Sequence, residues 1–187
     1  PYIMKLGVSE TDARDYSKEG CMRWLIPGKA MAQRALGGMF SLPKCLEYAL
    51  YQGVNKINGQ EYGVRTKDPV TFTCIEDVLD AYITQFRFFV EKCVTLNNVV
   101  EVLDQEFLPQ PFLSALMDDC IERGEDCRDY KYLPNSLLQP VGQISVVNSL
   151  AAMKKLIFDE KKVTMKELVE ALKTNWEGKE HLRQMFL

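Results

Sequence analysis

The strongest regularity in the chain is a helical one. Apolar residues recur at Leu79, Tyr82, Ile83, Phe86, Phe89, Val90, Cys93, Leu96, Val100 and Leu103, which is one face of a helix about eight turns long. The "TCIE" at 73–76 has the spacing of a capping box, which predicts Thr73 as the N-cap with Glu76 reaching back to it. The aromatic run of Phe86, Phe88 and Phe89 reads as core, because a helical stripe of this kind must be buried somewhere.

Weaker patterns flank this helix. Residues 1–20 mix short apolar alternation with charge and fit a short strand running into a loop. From Cys21 to Met39, Pro27, Gly28, Gly37 and Gly38 interrupt any regular element, so a long loop is expected. "SLPKCLEYALYQG" predicts a short helix with Ser41 as cap, Pro43 in the first turn and Gly53 at the stop. "NKINGQEYGVRTKDP" is a second polar connection. After Pro109 and Pro111, "FLSALMDDCIERG" predicts a helix stopped at Gly124, and "EDCRDYKYLPNSLLQPVGQ" predicts a loop. "SVVNSLAAMKKLIFDE" is helical in pattern. Thr164 and Glu167 form a second capping box before "MKELVEALKTNW", and a final helix follows. About half of the chain is thus expected to be helix, joined by long loops of the kind that carry function.

Composition narrows the class. Of 187 residues, 23 are Lys or Arg and 26 are Asp or Glu, a net charge of −3. That balance gives no electrostatic footprint for nucleic acid or an anionic membrane surface. No apolar run approaches the roughly 20 residues that span a bilayer, and no signal-peptide order opens the chain. A cytoplasmic protein is expected. Six cysteines stand at 21, 45, 74, 93, 120 and 127 without a C-x-x-C pair, and His181 is the single histidine. Neither a zinc site nor a disulfide framework follows from that pattern. The chain opens on Pro1 and closes on the uncapped helical pattern "KEHLRQMFL", so it is read as a piece of a longer polypeptide.

Most chemical motifs fail on inspection. "PGKA" at 27–30 has Arg23 where a phosphate loop needs its first glycine, and Ala30 where it needs Ser or Thr. No G-x-S-x-G occurs, and His181 sits alone on a charged helix. What remains is Cys21, which follows Gly20 in loop territory beside Arg23 and Trp24. A cysteine usually packs. This one is off any apolar face, and without a nearby histidine base it points to hydrogen-atom chemistry more than to thiolate attack.

At this point the residues carry a resemblance. "DARDYSKEGCMRWLIPGK" resembles the active-site cysteine loop of the glycyl radical enzymes, the pyruvate formate-lyase-like family. "SLPKCLEYALYQGVN", "FTCIEDVLDAYITQ" and "VVNSLAAMKKLIFDEKKVTMKELVEALKTNWEGKEHLRQM" are similar to later segments of that family, in order and over nearly the whole chain.

The resemblance implies an α/β fold class. Residues 1–187 would be part of a ten-stranded β/α barrel of the glycyl radical enzyme type, mostly helical with few short strands. The cysteine loop would span about 17–39, and the C-terminal glycine-radical domain lies outside the chain. It implies that Cys21 is the catalytic thiyl-radical carrier. The partner glycyl radical is protein-based, installed by a separate S-adenosylmethionine-dependent activating enzyme, with no bound cofactor and no metal. It further implies an anaerobic lyase or acyltransferase acting on a small molecule, a homodimer at full length, and no activity from this fragment alone.

Many dehydratases and lyases of the family carry a glutamate two residues after the cysteine as a general base. Here that position is Arg23, which argues against a glycerol or diol dehydratase, a choline lyase or an arylacetate decarboxylase. Met22 stands where pyruvate formate-lyase itself has a second cysteine, which argues against a strict formate acetyltransferase. A Cys-Met pair without the glutamate is similar to the fumarate-adding members, in which Arg23 would hold a substrate carboxylate by two parallel hydrogen bonds. The rival role for Arg23 is an ion pair with Glu19. Trp24 is read as a wall of the substrate pocket or a core anchor, not a participant in radical transfer. The alternative to an enzyme is a non-catalytic helical interaction module in which Cys21 merely packs.

Overall fold

The computed structural model describes residues 2–19, 23–29, 36–129 and 137–187. Helices dominate, and the described strands are short, forming two two-stranded sheets. The chain divides into two compact units, one of Pro1–Met39 with Cys93–Gln139 and one of Phe40–Lys92 with Pro140–Leu187.

The first unit begins with a 3-10 turn at Ile3–Leu6 and helix α1 at Glu10–Arg14. Strands β1 (Ser17–Glu19) and β2 (Arg23–Leu25) follow as an antiparallel pair. Strand β3 (Leu36–Ser41) pairs with β4 (Leu137–Val141), and both strands cross the division between the units. The sequence pattern predicts loop over most of β2, β3 and β4, and the structure corrects it. Strands this short, interrupted by Gly37, Gly38 and Pro140, have no alternation to read, and their order comes from a partner distant in sequence. The predicted helix over 112–123 is also broken. It forms α4 (Pro111–Ser114) and α5 (Cys120–Arg123), because Asp119 takes a left-handed backbone with φ 66°. α5 still ends at Gly124, whose φ of 64° suits a glycine stop.

The second unit holds the large core. Helix α2 (Leu42–Leu50) is capped by Ser41, whose side chain accepts the Lys44 N–H at 3.3 Å. It buries Leu42, Cys45, Leu46, Tyr48, Ala49 and Leu50. Helix α3 (Ile75–Phe107, 33 residues) gives its first turns to this unit and the remainder to the other. Its start differs from the predicted capping box. Asp77, not Glu76, reaches back, accepting the Thr73 N–H at 2.8 Å and the Cys74 N–H at 3.3 Å. These hydrogen bonds hold the Asp77 carboxyl below the usual range. Phe86 packs on the core and Phe89 stacks on Tyr48 at 5.3 Å between ring centroids, the role expected of that stripe. Helix α6 (Gln143–Met153) passes into a π turn at Lys154–Asp159. Helix α7 (Met165–Lys173) carries the predicted Thr164–Glu167 capping box, with both hydrogen bonds made, and α8 is Glu180–Met185.

Two close approaches shape this unit. Gln85, with no exposed surface, clamps the connection before α3. Its amide accepts the Val64 N–H at 3.0 Å and donates to the Val64 carbonyl at 2.6 Å, as a neighbouring strand would. Gly142, at φ 89°, lies so close to α2 that a Cβ there would stand 2.6 Å from Cδ of Pro43. Among the described residues, no helix is long and apolar enough to cross a membrane.

Candidate active-site hairpin

The segment around the candidate cysteine is a hairpin in the first unit. Its ladder pairs Ser17 with Leu25, Lys18 with Trp24 and Glu19 with Arg23. Residues 20–22 join the two strands, so Cys21 belongs to that connection and lies outside the described residues. Arg23 opens β2 opposite Glu19, the carboxylate already weighed as its rival partner, and Trp24 follows opposite Lys18. The strand therefore places both candidate binding residues directly after the cysteine connection.

The base of the hairpin is described in full. Ile26, the residue after β2, is 2% exposed and clusters with Ile3, Val8 and Ala13 of the segment that leads into β1. The chain then turns through Ile26-Pro27-Gly28-Lys29, with the Lys29 N–H donating to the Ile26 carbonyl at 3.0 Å. Proline at the second position and glycine with φ 75° at the third are what a type II turn requires. So "PGK" is a tight turn, in keeping with its rejection as a phosphate loop. Lys29 Nζ pairs with Asp12 Oδ1 at 2.9 Å. The Gly28 carbonyl accepts the Asp118 N–H at 2.7 Å, and the Asp118 carboxylate lies over Gly28, 3.0 Å from where a Cβ would stand.

A second polar knot lies elsewhere in this unit. The Asp126 carboxylate accepts the Gln110 N–H at 2.7 Å, the Ser114 hydroxyl at 2.9 Å and the Arg128 N–H at 3.0 Å. Burial pushes its carboxyl up, but these donors outweigh it and hold the group below its ordinary value. Burial pushes the nearby Cys120 and Cys127 thiols up, so both stay protonated at neutral pH and are poor nucleophiles. The five described cysteines are free thiols.

The sequence singled out Cys21, Arg23, Trp24 and the Pro-Gly turn. It missed Asp12 and Asp118, whose partners are set by tertiary folding. The one local signal was the turn itself, since a Pro-Gly pair followed by lysine fixes where that ammonium emerges.

Comparisons with known proteins identify the family. A family model described as pyruvate formate lyase-like matches residues 1–187. Isethionate sulfite-lyase of Oleidesulfovibrio alaskensis is 33% identical over 190 residues, covering 99% of this chain and 23% of that protein. Trans-4-hydroxy-L-proline dehydratase of Clostridioides difficile is 33% identical over 179 residues, covering 95% of this chain and 22% of its own length. Among solved structures, the glycerol-bound B12-independent glycerol dehydratase of Clostridium butyricum superposes with a TM-score of 0.88 at 29% identity, over 98% of this chain and 23% of that one. The chain thus spans less than a quarter of the length of these proteins.

Proposed function

The chain belongs to the pyruvate formate lyase-like family of glycyl radical enzymes, and on that premise we propose that it is the catalytic-cysteine portion of an anaerobic, cytoplasmic radical enzyme. Its α/β fold is that of part of the glycyl radical enzyme barrels, mostly helical with few short strands. The observation that carries the reading is the whole-chain family match, supported by a sequence position for Cys21 between the paired strand residues Glu19 and Arg23.

In this reading Cys21 gives its thiol hydrogen to a glycyl radical elsewhere in the full-length polypeptide. That radical is installed by an S-adenosylmethionine-dependent activating enzyme, and the working protein is a homodimer. The Cys21 thiyl radical takes a hydrogen atom from a substrate carbon, so one S–H bond forms as one C–H bond breaks. The bond from the neighbouring carbon to its leaving group then cleaves, releasing that group with a proton. The product radical recovers a hydrogen atom from the thiol. No net oxidant or reductant is consumed. The protein's contribution is to orient thiol and substrate and to exclude water and oxygen. Cleavage of a carbon–heteroatom bond is favoured over acyl transfer, because the relatives are named as a sulfite-lyase and dehydratases.

A second reading follows from Arg23. It stands two residues after Cys21, where a carboxylate base is usual in the dehydratases. A guanidinium there suits a carboxylate substrate, as in addition of a hydrocarbon radical to fumarate, with Trp24 as a pocket wall.

The deciding experiment uses the full-length protein, activated anaerobically. It is supplied in turn with small 2-hydroxy, 2-amino and 2-sulfonate compounds, and with fumarate plus a hydrocarbon. Elimination products are expected. An adduct of fumarate would overturn elimination in favour of the second reading, and Arg23→Gln should then raise KM for fumarate about 100-fold, roughly the loss of a bidentate charged contact. Full radical loading with no turnover of either class would count against both.

A further inference from the structure

The two ends of the hairpin that carries Cys21 are tied to each other at its base. Helix α1 leads into β1, and the Pro27–Gly28 turn leaves β2. Lys29 on that turn reaches back to Asp12 of α1 at 2.9 Å. This pair closes a loop that contains both strands and the cysteine connection.

Several observations set the pair apart from surface decoration. The Asp12 side chain is 14% exposed and that of Lys29 35%. The neighbouring Arg14–Glu10 pair on the same helix is 78% and 62% exposed, the sort of contact that contributes little. Asp12 is also held on its other oxygen, since Ser9 Oγ donates to Oδ2 at 2.7 Å while Oδ1 faces Lys29. Ser9 in turn accepts the Asp12 N–H and so caps α1. Beside the pair, Ile26 is buried against Ile3, Val8 and Ala13. On the turn itself, Gly28 is seated on Asp118 through the 2.7 Å backbone hydrogen bond. A two-stranded ladder of three residue pairs has little stability of its own, so its orientation depends on what holds its base.

We propose that Asp12 and Lys29 are positioning residues that clamp the base of the hairpin and thereby fix where Cys21 meets its hydrogen-atom partners. The proposal rests on Cys21 as the radical carrier. Both residues act through the orientation of β1 and β2. Hydrogen-atom transfer needs near-contact of the reacting atoms, and a displacement of about 1 Å in a reacting group can cost about 100-fold in rate.

The test uses the full-length, activated protein with Asp12→Asn, Lys29→Met, Lys29→Arg and the exchanged pair Asp12→Lys with Lys29→Asp. Asp12→Asn and Lys29→Met are expected to lower kcat about tenfold, with KM within about twofold and glycyl radical content unchanged, because only alignment is disturbed. Lys29→Arg should keep at least about half of kcat, and the exchanged pair should recover more than either single variant. Unchanged kcat in both single variants would overturn the clamp. So would a loss of kcat matched by loss of folded protein in every variant, Lys29→Arg included, since that is a merely structural role. Turnover by Cys21→Ala would instead overturn the radical-carrier reading, and the clamp's role with it, whatever the Asp12 and Lys29 variants do.

Discussion

In the second unit thirteen buried residues, from Leu42 to Leu168, gather into one cluster contributed by α2, α3, α6, α7, the π turn after α6 and the connections before α3 and α7. In the first unit the described cluster has three buried residues, Ile3, Val8 and Ile26, with partly buried Ala13 packed against them. There the remaining order comes from polar ties: Lys29 on Asp12, Asp118 against Gly28, and the Asp126 carboxylate gathering three donors. The same unit leaves Val99, Val102, Phe107, Phe112, Leu116 and Ile121 at least half exposed. One region is stabilised by volume and the other by direction. Hydrophobic burial is non-directional and tolerates small shifts, whereas hydrogen bonds and tight turns fix angles and register. The role proposed for Cys21, meeting a radical within contact distance, is better served by the second kind of order, and the strands that flank it in sequence lie in that unit.

The contrast can be broken or sharpened by substitution. The largest effect is expected at the centre of the core. Leu168, 3% exposed, loses its packing in Leu168→Ala, which should lower stability by about 3 kcal/mol in a denaturant titration. A loss below about 1 kcal/mol would mean that this core does not carry the second unit. Gln85→Ala comes next and tests whether polar ties matter there too. It removes the side-chain partner of the Val64 N–H and carbonyl in a part-buried site, at a cost of about 2 kcal/mol, and should speed exchange of the Val64 amide. An unchanged Val64 exchange rate would show that the side chain does not hold the loop.

The smallest effect concerns Asp126 in the first unit. Its carboxyl lies below the ordinary 3.8 when folded, so its contribution is complete above that pH and disappears as pH falls through the lower folded value. The protection of the Cys127 amide, which donates to Ser114 at 2.9 Å, measured relative to its intrinsic exchange rate at each pH, should therefore fall on acidification below about pH 4. Asp126→Asn should flatten that acid dependence. A variant with the same acid limb as the parent would remove Asp126 from the account.

The legible and illegible parts divide along the same line. The 3.6-residue apolar stripe announced α3, and the Thr164–Glu167 spacing announced the start of α7, since both signals lie within a few turns of chain. The start of α3 was misread by one residue. Thr73 and Glu76 have the capping-box spacing, yet Ile75 begins the helix and Asp77 makes the hydrogen bonds. Strands β2, β3 and β4 were not legible, because their pairing is decided by partners elsewhere and glycine and proline interrupt them. In the candidate site, Cys21 and Arg23 were singled out from local sequence alone, and the Pro-Gly turn was legible there too. Asp12 and Asp118 were not, because nothing near either residue says that a turn will arrive beside it.

The most direct test of Cys21 as the radical carrier compares parent and Cys21→Ala in the full-length protein after anaerobic activation. Electron paramagnetic resonance would read the glycyl radical and a product assay would read turnover. The expected result is an equal glycyl radical signal in both proteins, with turnover in the parent and none in Cys21→Ala. Turnover by Cys21→Ala at a rate comparable to the parent would contradict the assignment and leave the hairpin with a structural role only.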